Sequence, residues 1–155
     1  MINLTELIEY DLAKLLNNKI WSDKKYAYAA EDVEVSWGDF LTIRKYKEGE
    51  LITIEYGDDV RGKVYYALTY AELIKFLDKC YGIVIDFQPA FTFSVKDHIA
   101  YFYKVYRKND KERRLDLLFE EKEWLSSFEE EKEWLSSFEF AMEAIVSELL
   151  KRKFI

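Results

Sequence analysis

Residues 120–129 read EEKEWLSSFE, and residues 130–139 repeat them without a change. Ten identities in tandem exclude chance. They record either a recent duplication of thirty bases or an alteration introduced into the chain. A single duplication is not a solenoid, which needs three or more stacked units. Helix geometry limits what the pair can do. Ten residues turn a helix by about 1000°, roughly 80° short of whole turns, so the copies cannot present one face on a straight helix. Copy two sets Leu135 and Phe138 in line with Met142 and Leu149, with Trp134 at the edge. Copy one would add Trp124 and Phe128 to that stripe, with Glu131 in its middle. One helix from Glu120 to Arg152 would be about 50 Å long, longer than a domain of this size is wide. A break is therefore expected near Ser126–Glu130, where Ser126 and Ser127 offer a cap with Glu129 and Glu130 three residues on. Copy one is then partly exposed, and Trp124, Phe128, Glu129, Glu130 and Glu131 form a candidate interaction surface. The competing arrangement is a protruding helix that offers Trp124 to a homodimer contact.

The rest of the chain alternates between helical and extended periodicity. Leu4, Leu7, Ile8, Leu12 and Leu15 predict an amphipathic helix over about residues 4–17, capped by Thr5 or Asn3. Period two takes over from Tyr26 to Leu68. Residues 41–46 and 51–56 read as a β-hairpin turned at Gly49. Gly57-Asp58-Asp59 follows as a second turn, before a strand at residues 63–67. Thr69 and Glu72 have capping-box spacing ahead of an apolar face of Leu73, Ile74, Phe76 and Leu77, and Gly82 ends that helix through a left-handed turn. Residues 83–87 form a strand that Pro89 stops. Residues 99–106 form another, turned at Asn109-Asp110 toward a partner at 115–119. Phe138, Met142, Ile145, Val146 and Leu149 mark a last helix, capped by Ser136 or Ser137. The expectation is an α+β fold in a single domain, residues 1–155. It has an antiparallel sheet with N-terminal, middle and C-terminal helices packed mainly on one face.

Net charge narrows the partners. The chain carries −7 overall. Between Asp116 and Glu143, ten acids against Lys122 and Lys132 leave −8. Nucleic acid is a poor partner for such a surface. The one basic run (Arg107, Lys108, Lys111, Arg113, Arg114) is interrupted by Asp110 and Glu112 and reads as a solvated hairpin tip. The single cysteine, Cys80, suits a reducing compartment. No apolar run reaches the roughly 20 residues that span a bilayer, and the acidic, amphipathic start is unlike a signal peptide. A cytoplasmic location without membrane contact is expected.

No motif amounts to chemistry. Tyr56-Gly57-Asp58-Asp59 looks like the metal-binding turn of RNA-dependent polymerases, but those need a further aspartate and several hundred residues more. It reads as a Gly-Asp turn. Cys80 reads as a buried structural thiol rather than a partner for His98, and one Cys with one His excludes a structural zinc site. Glu120, Glu121, Glu123 and Glu129–Glu131 read as a solvated helix face. Trp21, Trp37, Trp124, Trp134 and the twelve tyrosines have two readings: most fill the core, and tyrosines on the outer sheet face are exposed and suit a protein interface. No catalytic, cofactor-binding or metal-ligating residue is assigned.

Several segments together resemble a family of short proteins from phages, prophages and mobile elements of gut Bacteroidetes-type bacteria. They are Leu12-Ala13-Lys14-Leu15-Leu16, Tyr56 to Gly62, Thr69 to Leu77, Ile83-Val84-Ile85 and Ser137 to Ile145. Leu68 stands where that family has proline, and the duplication is foreign to its pattern. The resemblance implies a mobile-element origin and carries no functional residue with it. The expected function is a non-enzymatic protein-interaction module with a protein partner. The alternatives are an acidic, nucleic-acid-mimicking inhibitor or immunity-type protein, and a small-ligand binder or enzyme with an unrecognised site.

Overall fold

The computed structural model describes residues 4–19, 25–37, 42–91, 99–121 and 137–155. Its elements are α1 (Tyr10–Leu16), β1 (Tyr26–Ala29), β2 (Val33–Trp37), β3 (Ile43–Tyr46), β4 (Leu51–Thr53), β5 (Asp58–Arg61), β6 (Val64–Tyr66), α2 (Tyr70–Tyr81), β7 (Ile83–Phe91), β8 (Ile99–Asn109), β9 (Arg114–Glu121) and α3 (Ser137–Lys151). The class is α+β with antiparallel pairing, as expected, and the strands form three sheets ordered β4-β1-β6, β3-β2-β5 and β7-β8-β9. The chain divides into two compact units between Leu73 and Ile74.

In the N-terminal unit every second residue of β1 and β2 is buried: Ala27, Ala29, Val33 and Val35. Alternation places these on one face of the strand. Ala27 lies between Ile52 of β4 and Tyr66 of β6. Val35 lies between Arg44 of β3 and Val60 of β5. All three extended segments break at one level. The Ala29 N–H donates to Glu50 O (2.9 Å), the Gly49 N–H to Ala29 O (2.8 Å) and the Ala30 N–H to Lys63 O (2.9 Å). Glu31 turns outward there, and its carboxylate accepts the Lys63 N–H at 2.9 Å. Strands thus pass from one sheet to the other at a shared corner. The two inner faces enclose one core of Ala27, Ala29, Val33, Val35, Ile52 and Val64, sealed by Tyr46, Ile54, Val60 and Tyr66.

This corner corrects the expected hairpin. Gly49 does sit in a turn, closed by the Glu50 N–H to Lys47 O bond of 3.0 Å, but β3 and β4 do not pair with each other. Each pairs with a different half of the longer β1–β2 segment, because that segment's alternating small apolar residues offer both a buried face. The expected first helix is also shorter. It begins at Tyr10 after Glu9, with no side-chain cap, so Thr5 lies too far upstream to cap it, and Asn3 is outside the described residues. The preceding residues run beside residues 68–71 instead: Leu7 bridges Thr69, and the Ile8 N–H donates to Leu68 O at 2.8 Å. Carbonyls of this segment take two orphan donors of α2, the Tyr70 N–H to Glu6 O (3.0 Å) and the Ala71 N–H to Leu4 O (2.9 Å). The capping box supplies the rest. Thr69 Oγ1 accepts the Glu72 N–H at 3.2 Å, and Glu72 Oε1 accepts the Thr69 N–H at 3.3 Å.

In the C-terminal unit, Gly82 ends α2 at φ +66, as its position predicts. β7 then runs through Pro89 to Phe91, where a stop was expected. It is tolerated because, among the described residues, β7 is an edge strand and the ladder sets Pro89 opposite Tyr101 in a non-hydrogen-bonded pair, so a missing N–H removes no ladder bond. β8 and β9 form the expected antiparallel pair. The predicted stripe of α3 is buried in full (Phe138, Met142, Ile145, Val146, Leu149, with Ala141), as are Tyr103 and Val105 of β8. Phe87 and Phe138 pack with ring centroids 5.0 Å apart. α3 closes on a Schellman turn: Lys153 takes φ +59, and the Phe154 N–H reaches Leu149 O at 2.9 Å.

Candidate functional site

Two exposed aromatic residues, Trp37 and Tyr56, lie together where β2 ends beside the turn into β5. Residues 55–58 form a tight turn, with the Asp58 N–H donating to Glu55 O at 3.1 Å and Gly57 at φ +92. That is the positive φ a type II turn needs at its third position. Asp58 locks it: its carboxylate accepts the Glu55 N–H (2.9 Å) and pairs with Arg44 Nη2 (3.1 Å). Its side chain is only 2% exposed. Trp37, opposite Asp58 in the β2–β5 ladder, donates its indole N–H to Tyr56 O at 3.2 Å and lies over Gly57, where a Cβ would come within 2.9 Å of its Nε1. The indole nevertheless remains 53% exposed, and the Tyr56 ring stands entirely in solvent. Trp37 is not among the aromatics that fill the core, where most of them were expected. It sits two residues past Val35, the last buried position of β2, at the end of the strand.

The Tyr56-Gly57-Asp58-Asp59 string is a turn only in part, since Asp58 and Asp59 open β5. Adjacent strand residues point to opposite faces, so the two carboxylates diverge. Asp58 goes to Arg44 and Asp59 to Arg61 at 3.3 Å. Among the described residues, no three His, Cys, Asp or Glu side chains group as metal ligands. Cys80 is exposed, not buried as expected: its spacing sets it on the Leu73–Leu77 face of α2, but the buried part of that face ends at Leu77 and Cys80 lies in the helix's last turn. His98 lies outside the described residues.

A second cluster joins Tyr10 of α1 to Tyr28 (centroids 5.8 Å apart) and Tyr65 (6.1 Å). Tyr28 donates to Ile8 O at 2.7 Å, and Tyr10 to Glu48 Oε1 at 3.2 Å. Desolvation, then the Glu48 hydrogen bond, raises the Tyr10 pKa. Desolvation, then the charge of Glu9, raises that of Tyr28. Both phenols stay protonated at neutral pH, so the cluster is a support rather than an acid–base pair.

Three residues of the basic run are engaged in contacts, while Lys111 and Arg113 are exposed at the hairpin tip. Arg107 stacks on Phe154 at 5.0 Å and donates to its carbonyl at 3.2 Å. Lys108 pairs with Asp78, and Arg114 with Asp116 at 2.9 Å. The candidate surface from the duplication (Trp124, Phe128, Glu129, Glu130, Glu131) and the expected break near Ser126–Glu130 lie outside the described residues. Glu120 and Glu121, expected on a helix, belong to β9, so no helix begins at Glu120. The duplicated stretch starts in a strand and ends in α3.

Among the described residues no helix is long and apolar enough to cross a membrane. No family model matches the sequence, and comparison with curated proteins and with solved structures finds no match.

Proposed function

We propose that this chain is a non-enzymatic protein-interaction module of mobile-element origin, acting in the cytoplasm, with the Trp37–Tyr56 corner as its partner-binding surface. The observation that carries the reading is the fully exposed Tyr56 ring on a turn fixed by Asp58 and Arg44. A turn of this kind needs glycine at its third position and nothing aromatic at its second. Leaving the ring in water forgoes roughly 1.5–3 kcal/mol that burial would supply. Tyr and Trp are enriched at binding hot spots because a rigid ring carries large contact area at low entropic cost. The exposed Cys80 thiol and the acidic net charge suit a reducing interior and a protein ligand.

The test is affinity capture with mass spectrometry from cells that carry the protein natively. Wild type is compared with a Trp37→Ala/Tyr56→Ala double variant of verified fold. Partners enriched on wild type and absent from the variant are expected. Equal capture by both, or none by either, overturns the proposal.

A further inference from the structure

We propose that the β9 edge pairs with β9 of a second copy of this chain. The surface is distinct from the Trp37–Tyr56 corner, and the inference does not depend on it. Among the described residues β9 pairs only with β8, so its other edge presents backbone donors and acceptors. Which residues point there follows from the ladder. The Lys108 N–H is taken by Gly82 O at 2.9 Å, on the β7 side. Lys108 and its partner Leu115 are therefore a non-hydrogen-bonded pair, and Leu115 and Leu117 turn their N–H and C=O groups outward. The same two side chains are 49% and 51% exposed. The far half of the edge is already blunted. The register slips between Val105 and Tyr106, making Leu118 a bulge residue, and Arg152 Nη1 donates to Leu118 O at 3.3 Å.

The residues flanking Leu115 choose the occupant. A two-fold antiparallel pairing centred on Leu115 lets it exchange both backbone bonds with the partner's Leu115. It sets Arg114 opposite the partner's Asp116, and Asp116 opposite the partner's Arg114. Both side chains are accessible, at 63% and 45%. Opposite charges directly across a ladder stabilise it, and like charges oppose it. The stretch is short, so the dimer is weak and concentration-dependent.

Sedimentation velocity over a rising protein concentration tests this. Wild type is expected to shift from monomer to dimer. Leu115→Pro removes only an outward N–H and is expected to stay monomeric. Arg114→Asp and Asp116→Arg are each expected to stay monomeric alone, through like-charge contacts, and to form a mixed dimer when combined. The mixture regains dimerisation only if both variants fold, which separates a pairing defect from misfolding. A wild type monomeric throughout, a dimer undiminished by Leu115→Pro, or single variants that do not recombine would each overturn the inference.

Discussion

Tyr66 gives its backbone N–H to the side-chain oxygen of Asn18 (2.9 Å), and the same Asn18 amide donates to Val64 O (2.9 Å). One side chain thus occupies the edge of β6 as a further strand would. Asn18 reaches it from φ +60, a left-handed conformation that Asn tolerates better than other branched or bulky residues. Asn18→Ala loses both bonds and strains the backbone, and should destabilise by about 1–3 kcal/mol. Asn18→Gly loses the bonds but relaxes the backbone, and should be milder by about 1 kcal/mol. Urea unfolding of both variants checks the order.

Two glycines should respond unequally to the same methyl group. At Gly62, φ is +120 and a Cβ would lie 3.0 Å from Asp32 O and 3.3 Å from Val33 Cα. These are backbone atoms of the corner that cannot step aside alone. At Gly57 the nearest atom is the Trp37 indole nitrogen at 2.9 Å, on a side chain able to rotate. Gly62→Ala should cost the upper part of the roughly 1–3 kcal/mol range for a strained residue. Gly57→Ala should cost less in stability but displace the indole. Thermal melts with tryptophan fluorescence distinguish the two outcomes.

Much of this architecture was legible because its signals are local. Thr69 and Glu72 announce their capping box by spacing alone, and the bonds form as read. The α3 stripe is a direct helical period. What the sequence hides is pairing at a distance. Leu51–Thr53 follows a glycine turn like the second arm of a hairpin, yet Ile52 pairs with Ala27, a choice that depends on a core assembled from six segments. Pro89 misleads for the same reason, since edge or centre is a property of the sheet. For the candidate site, Tyr56 beside Gly57 gave a turn, but the outward ring follows only once Trp37 is seen to fill the space over the glycine. Thr69→Ala should cost about 1 kcal/mol, measurable by calorimetry.

Alkaline pH should reveal the tyrosine cluster. Burial raises the Tyr28 pKa, so the folded state holds that proton more tightly than the unfolded chain. The stability this contributes is complete below the ordinary tyrosine range of about pH 10 and is lost as pH rises through the raised value. The melting temperature should therefore not change through Tyr28 between neutrality and about pH 10, and should fall above it. Tyr28→Phe should shallow that fall. It should also lower stability at neutral pH by about 1 kcal/mol, because Ile8 O loses its donor.

Calorimetric titration of the captured partner against wild type and Tyr56→Ala addresses the functional account most directly. Tyr56 makes no core contact to lose, so the variant should melt as wild type does while binding about tenfold or more weakly. Undiminished affinity with the ring removed would contradict the account.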